Sequence, residues 1–176
     1  FFYFGPFGAA ISDGFVIRWD ADDKVYPPDC GWAKFGKSGS TSSFDCPGSA
    51  ANSTVYAVRA FGNMVYSLRT VSSLFGLYGE SFDSTPDFSM SSIDKQARFL
   101  AVNATHAWTF SHAGNVERIE LATKTKTGAL TLPAPGSTVG GTAVALLADR
   151  VVVARIPSHN GSFSAIVDFW PISSMS

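Results

Sequence analysis

Three of the five asparagines begin an Asn-x-Ser/Thr triplet: Asn52-Ser53-Thr54, Asn103-Ala104-Thr105 and Asn160-Gly161-Ser162. The triplet is the acceptor for an N-linked glycan, so the chemistry these residues point to is modification in a secretory compartment. Cys30 and Cys46 are the two cysteines, with fifteen residues rich in Gly, Ser and Lys between them. That spacing closes a surface loop through a disulfide in an oxidising environment. The two signals are independent and agree on a secreted, extracellular protein with glycans on Asn52, Asn103 and Asn160 and a Cys30–Cys46 bridge.

Other candidates carry less. Gly31-Trp32-Ala33-Lys34-Phe35-Gly36-Lys37-Ser38 satisfies the phosphate-binding pattern G-x-x-x-x-G-K-S. That mechanism needs a buried strand before the loop and a helix after it, so that a helix N-terminus faces the phosphate. Tyr26-Pro27-Pro28-Asp29-Cys30 precedes the match and Gly39-Ser40-Thr41-Ser42-Ser43 follows it, so it is read as an extracellular Gly/Ser loop. Within that loop Trp32 is expected to be exposed, where an indole can stack on a sugar face or anchor a protein partner. Asp20-Ala21-Asp22-Asp23 sets alternate carboxylates on a turn but lacks the Gly and Glu that complete an EF-hand loop. No Gly-x-Ser-x-Gly elbow supports a serine nucleophile, and no motif calls for a cofactor.

The 176 residues are 45% hydrophobic and 14% aromatic, with a formal charge of −1. That is enough apolar material for a folded domain, and there is no cationic excess to hold a phosphate backbone, which argues against nucleic acid. The longest apolar stretch, Thr142 to Ile156, is broken by Asp149 and Arg150. It is shorter than the roughly 20 residues a spanning helix needs, so no membrane insertion is expected. The chain opens Phe1-Phe2-Tyr3-Phe4 with no basic segment ahead of an apolar run, as a processed chain or a piece of a longer one does.

The elements that would position these residues come as a repeat. Ala57 to Tyr66, Ala101 to Phe110 and Ala145 to Ala154 align without a gap at two successive offsets of 44. Each reads as an apolar strand, a short polar turn and a second apolar strand. After the second of them, Val116-Glu117-Arg118-Ile119-Glu120-Leu121 alternates with the period of two that a half-buried strand requires. A further strand is expected from Ala129 to Leu132, and another from Thr142 to Leu147 beyond the break at Pro133-Ala134-Pro135-Gly136. No window carries a capped 3.6-residue period, so the chain is expected to be all-β with few, short helices.

The repeat resembles the blades of β-propeller proteins in general: a strand pair, a Gly-Asn turn, an Ile-Glu-Leu-Ala-Thr stretch and a Pro-containing loop. It lacks the signatures of WD40, kelch and sialidase blades. What the resemblance implies is one β-propeller domain over residues 1–176, built from four-stranded antiparallel blades. If Phe15, Met64, Trp108 and Val152 mark the innermost strands, the steps are 49, 44 and 44. The blades then fall at about 15–61, 62–105, 106–149 and 150–176 plus 1–14, the last closed by the N-terminal strands. The alternative is a fragment of a larger propeller of about six to eight blades.

Three functions are open to such a chain. The first is a secreted, N-glycosylated structural or protein-interaction module whose partners are other protein chains, itself included, in an extracellular assembly or fibril. Low charge, abundant rings and an apolar N-terminus favour it. The second is a lectin-like propeller that binds glycans between blades. The third follows from propellers resembling lactonases, which hold a metal in the central channel: Asn63, His106 and Asp149 stand at nearly equivalent places in three repeats and would be its ligands. His112 and His159, in turns, are read as surface residues. An enzyme is the weaker expectation, and no residue is assigned a catalytic role.

Overall fold

Runs of four to eight residues rich in Val, Ile, Phe, Tyr and Thr fold as strands, and glycines supply the left-handed backbone that tight turns between them need. Gly62 has φ of 59° and Gly114 has φ of 90°, conformations that cost a side chain-bearing residue energy and glycine almost none. A computed structural model describes residues 8–11, 14–20, 30–39, 41–45, 54–71, 73–81, 88–132, 139–157 and 166–174. These form fifteen strands: β1 (Gly8–Ile11), β2 (Gly14–Asp20), β3 (Cys30–Gly36), β4 (Thr41–Asp45), β5 (Thr54–Phe61), β6 (Met64–Val71), β7 (Leu74–Ser81), β8 (Phe88–Met90), β9 (Ala97–Val102), β10 (His106–Ser111), β11 (Asn115–Glu120), β12 (Thr125–Thr131), β13 (Val139–Leu146), β14 (Arg150–Pro157) and β15 (Ile166–Pro171). The described residues include no α-helix, only a 3-10 turn at Ile172–Ser174. No helix among them is long and apolar enough to cross a membrane.

The fold is all-β and antiparallel. Consecutive strands pair in order, giving sheets β1-β2-β3-β4, β5-β6-β7-β8, β9-β10-β11-β12 and β13-β14-β15. The chain divides into two compact units, Phe1–Ser92 and Ile93–Ser176, each holding two sheets. In the first unit the opening strands β1 and β5 run close to each other, and in the second β9 and β13 do the same.

The core of the second unit shows how its sheets stack. On β10, Trp108 and Phe110 face one way, and they meet Val151 and Val153 of β14 in a single buried cluster with Ala101, Val116 and Leu132. Trp108 and Val151 are fully buried. The opposite side of β10, carrying Ala107 and Thr109, is buried as well. A strand covered on both faces has no need of alternation.

The repeat is present and its phase is not the expected one. Phe15, Met64, Trp108 and Val152 fall on β2, β6, β10 and β14, the second strand of each sheet. The expected strand at Thr142–Leu147 falls on β13, which opens the fourth sheet instead of completing the third. Likewise β1 pairs with β2, Ala10 opposite Phe15, so the strand at residues 8–11 belongs to the first sheet and does not close the last. The first two strands of a sheet are equally apolar here, and only the ladder tells which comes first. Among the described residues no sheet closes.

Candidate functional site

On β6 and β7 one face carries three cross-strand pairs in succession: Val65 with Glu80, Ser67 with Tyr78, and Arg69 with Gly76. Gly76 offers Arg69 no side chain to pack on, and a Cβ there would lie 2.7 Å from the carbonyl oxygen of Met90. The arginine therefore lies back along the sheet. Its guanidinium stacks 4.7 Å from the centre of the Tyr78 ring, and its Nη2 donates to Oε1 of Glu80. Both charged side chains are buried, Arg69 being 3% and Glu80 2% exposed. A cleft of about 220 Å³ opens over this pair, lined by Arg69, Tyr78, Glu80, Phe88 and Ser89. On the other face Tyr66 packs edge-on against Phe88, and burial pushes its phenol above the ordinary value. A buried ion pair adds little net stability but fixes geometry, because each partner is costly without the other.

The second feature is a surface. Sheet β13-β14-β15 turns Val144, Leu146, Val151, Val153 and Trp170 to the core cluster. A charge pair also lies on that side: Arg155 Nη2 donates to Asp168 Oδ2 at 2.6 Å. The opposite side carries two cross-strand rows, Ala145–Val152–Phe169 and Ala143–Ala154–Val167, with Arg150 opposite Pro171 at their edge. All six residues are apolar. Ala143 and Ala145 are exposed, as are Phe169 at 58% and Val167 at 47%.

Sequence-predicted residues are placed as follows. Asn103 sits in the β9–β10 turn, half-buried, its Oδ1 accepting the backbone N–H groups of Thr105 and His106, each at 2.9 Å. His106 opens β10, with Thr105 Oγ1 at 2.8 Å from its Nδ1 and its ring 5.7 Å from that of Trp108. Asp149 lies in the β13–β14 turn, held by Arg150 through hydrogen bonds of 2.8 and 2.6 Å. Those bonds keep its carboxyl below the usual range. Asn63 is exposed in the β5–β6 turn, so Asn63 and Asp149 stand between the first and second strands of their sheets and His106 opens the second strand of its own. Among the described residues no group of three or more His, Cys, Asp or Glu is placed to hold a metal ion.

Trp32 corrects an expectation. Its backbone is not in a loop but in β3, paired with Arg18 and Phe44. The Gly31–Ser38 match is thus a strand and the start of a hairpin turn, closed by Gly39 N–H donating to Gly36 O at 3.0 Å. Gly, Lys and Ser made this stretch read as loop, whereas pairing on both sides holds it extended. Cys46, Asn52, Asn160 and His159 lie outside the described residues. Cys30 opens β3, and the last ladder pair beyond it is Gly31 with Asp45.

Neither the Arg69–Glu80 pair nor the open apolar face was read from the sequence. The first left no signal, since an arginine between Leu68 and Thr70 looks like any outward residue. The second left one: Val151-Val152-Val153-Ala154 has no polar alternate.

No protein-family model and no curated protein sequence matches the chain. Solved structures do. The crystal structure of AztD from Citrobacter koseri superposes with a TM-score of 0.56 at 12% identity, over 96% of this chain and 47% of that one. The apo form of the same protein gives 0.53 at 12% identity, covering 93% and 47%. The polysaccharide lyase Uly1 gives 0.54 at 8% identity, covering 90% and 43%. The likeness is one of fold. These neighbours are propeller-like, and the chain spans under half of their length.

Proposed function

We propose that this chain is a secreted, N-glycosylated propeller module with a structural or protein-interaction role, part of an extracellular assembly. The observation that carries this reading is the pair of apolar rows on the outer face of the fourth sheet, with Phe169 58% and Val167 47% exposed. Surfaces of that kind mark interfaces, because leaving a sheet face of alanine, valine and phenylalanine in water is unfavourable. The neighbours' greater length, of which the chain covers 47% and 43%, supports blades belonging to a ring larger than four.

The test is the intact mass of natively purified protein before and after glycosidase and reductant. Loss of glycan mass together with a gain of two daltons on reduction supports the reading. A bare chain with two thiols overturns its secreted part.

A second reading, a glycan-binding propeller, draws on the cleft over Tyr78 with Ser89 and the Arg69–Glu80 pair at its base. A ring beside paired charges suits a hydroxylated ligand. A glycan array without signal overturns it.

A further inference from the structure

We propose that the cleft over the Arg69–Glu80 pair takes a single uncharged sugar residue and discriminates against acidic ones. The inference rests on the glycan-binding reading above and names its ligand. Every residue it uses lies in the first unit. On the side of the second sheet that carries Arg69, the ladder sets Ser67 opposite Tyr78 and Tyr78 opposite Ser89. Alternation along β6 and β7 puts Val71 and Glu80 on that side as well. The cleft of about 220 Å³ opens among these side chains.

Two polar atoms on that side are buried with no hydrogen-bond partner among the described residues: Arg69 Nε and, two residues earlier on β6, Ser67 Oγ. A guanidinium that has left water with one donor unspent carries a cost in the folded protein, and a ligand that brings an acceptor removes it. Arg69 lines the cleft. Its Nε is covered, so an acceptor reaches it as the guanidinium tilts over the Tyr78 ring.

The charges decide which acceptor. Arg69 and Glu80 are joined as an ion pair, so one positive and one negative group stand side by side and the pair offers a ligand no net charge. A carboxylate brought to Arg69 meets Glu80 too, and like charges repel strongly where water is scarce. A hydroxyl meets no such conflict. It accepts from the guanidinium through its oxygen and donates its own proton to the Glu80 side chain, matching a donor and an acceptor that stand together. Beside them the wall is formed by the Tyr78 ring and Val71, apolar surface that suits the C–H face of a sugar ring. At about 220 Å³ the space is smaller than the roughly 300 Å³ at which pockets for drug-sized ligands begin, which limits it to one ring.

The experiment is ligand-observed saturation-transfer NMR on the intact chain with the methyl glycosides of glucose, galactose and mannose, each beside the corresponding uronate. At least one neutral glycoside is expected to bind with Kd on the order of 1 mM, the affinity open to a ligand of so few atoms. Its uronate should bind at least about tenfold more weakly. Ser89→Trp, at an exposed position, fills the cleft and spares the ion pair, and should weaken binding by about tenfold or more. Arg69→Met with Glu80→Leu removes donor and acceptor together and should do the same, each variant first being shown to unfold cooperatively in urea. A uronate that binds as tightly as its neutral glycoside overturns the discrimination and leaves the glycan reading standing. Binding that survives both variants overturns the cleft as the site. No response from any of these saccharides overturns the inference, and a glycan array then separates the two: a signal there keeps the glycan reading with a longer ligand, and silence removes it as well.

Discussion

Burying the guanidinium of Arg69 over the Tyr78 ring commits the second sheet to keeping Glu80 within reach. Replacing Glu80 by Gln leaves a buried cation without its counter-charge, and the expected loss is about 3–5 kcal/mol in a urea titration. The pair Arg69→Met with Glu80→Leu, which removes both charges, is expected to recover much of it. Tyr66 gives a pH effect of opposite character. Its phenol is raised above the ordinary value of 10.0 by burial, so the unfolded chain loses the proton first. Stability is complete below the unfolded value and falls as pH rises through it towards the folded one. Comparing urea midpoints at about pH 9 and about pH 11, Tyr66→Phe should lack that part of the decline.

Among the elements, β2 is fixed by the residue that opens it. Gly14 has φ of 145°, and a Cβ there would sit 1.9 Å from the carbonyl oxygen of Phe35. Gly14→Ala should force β2 and β3 apart and cost about 1–3 kcal/mol, read as a lowered denaturation midpoint. Elements are also where the sequence could be read furthest and where it stopped. The 44-residue spacing was legible because the hairpins β5–β6, β9–β10 and β13–β14 repeat an apolar strand, polar turn and apolar strand. The phase was not, since first and second strands share that composition and antiparallel pairing can run from either side. β3 was hidden by its Gly and Lys content, and the outer face of β14 was visible only as missing alternation. Of the candidate site, the turn positions of Asn63 and Asp149 and the strand-opening position of His106 were legible. The Arg69–Glu80 contact depends on how two strands register, which no local pattern records.

At the scale of the molecule, protection should follow the covering of each strand. β10 is paired on both sides and buried on both faces, while β15 has one described neighbour and an exposed pattern along its length. Hydrogen exchange is expected to be slowest at Trp108–Phe110 and markedly faster at Ile166–Phe169, and equal rates would contradict this arrangement. The order of pairing has another consequence. Among the described residues every ladder joins strands that are neighbours along the chain, so closing each one costs little loop entropy. On the ribosome a sheet can zip up as soon as its own residues have emerged, one after another from the first to the fourth. Within each unit the first sheet then waits with a bare apolar side until the second arrives, and that interval is when the nascent chain is most exposed to mispairing.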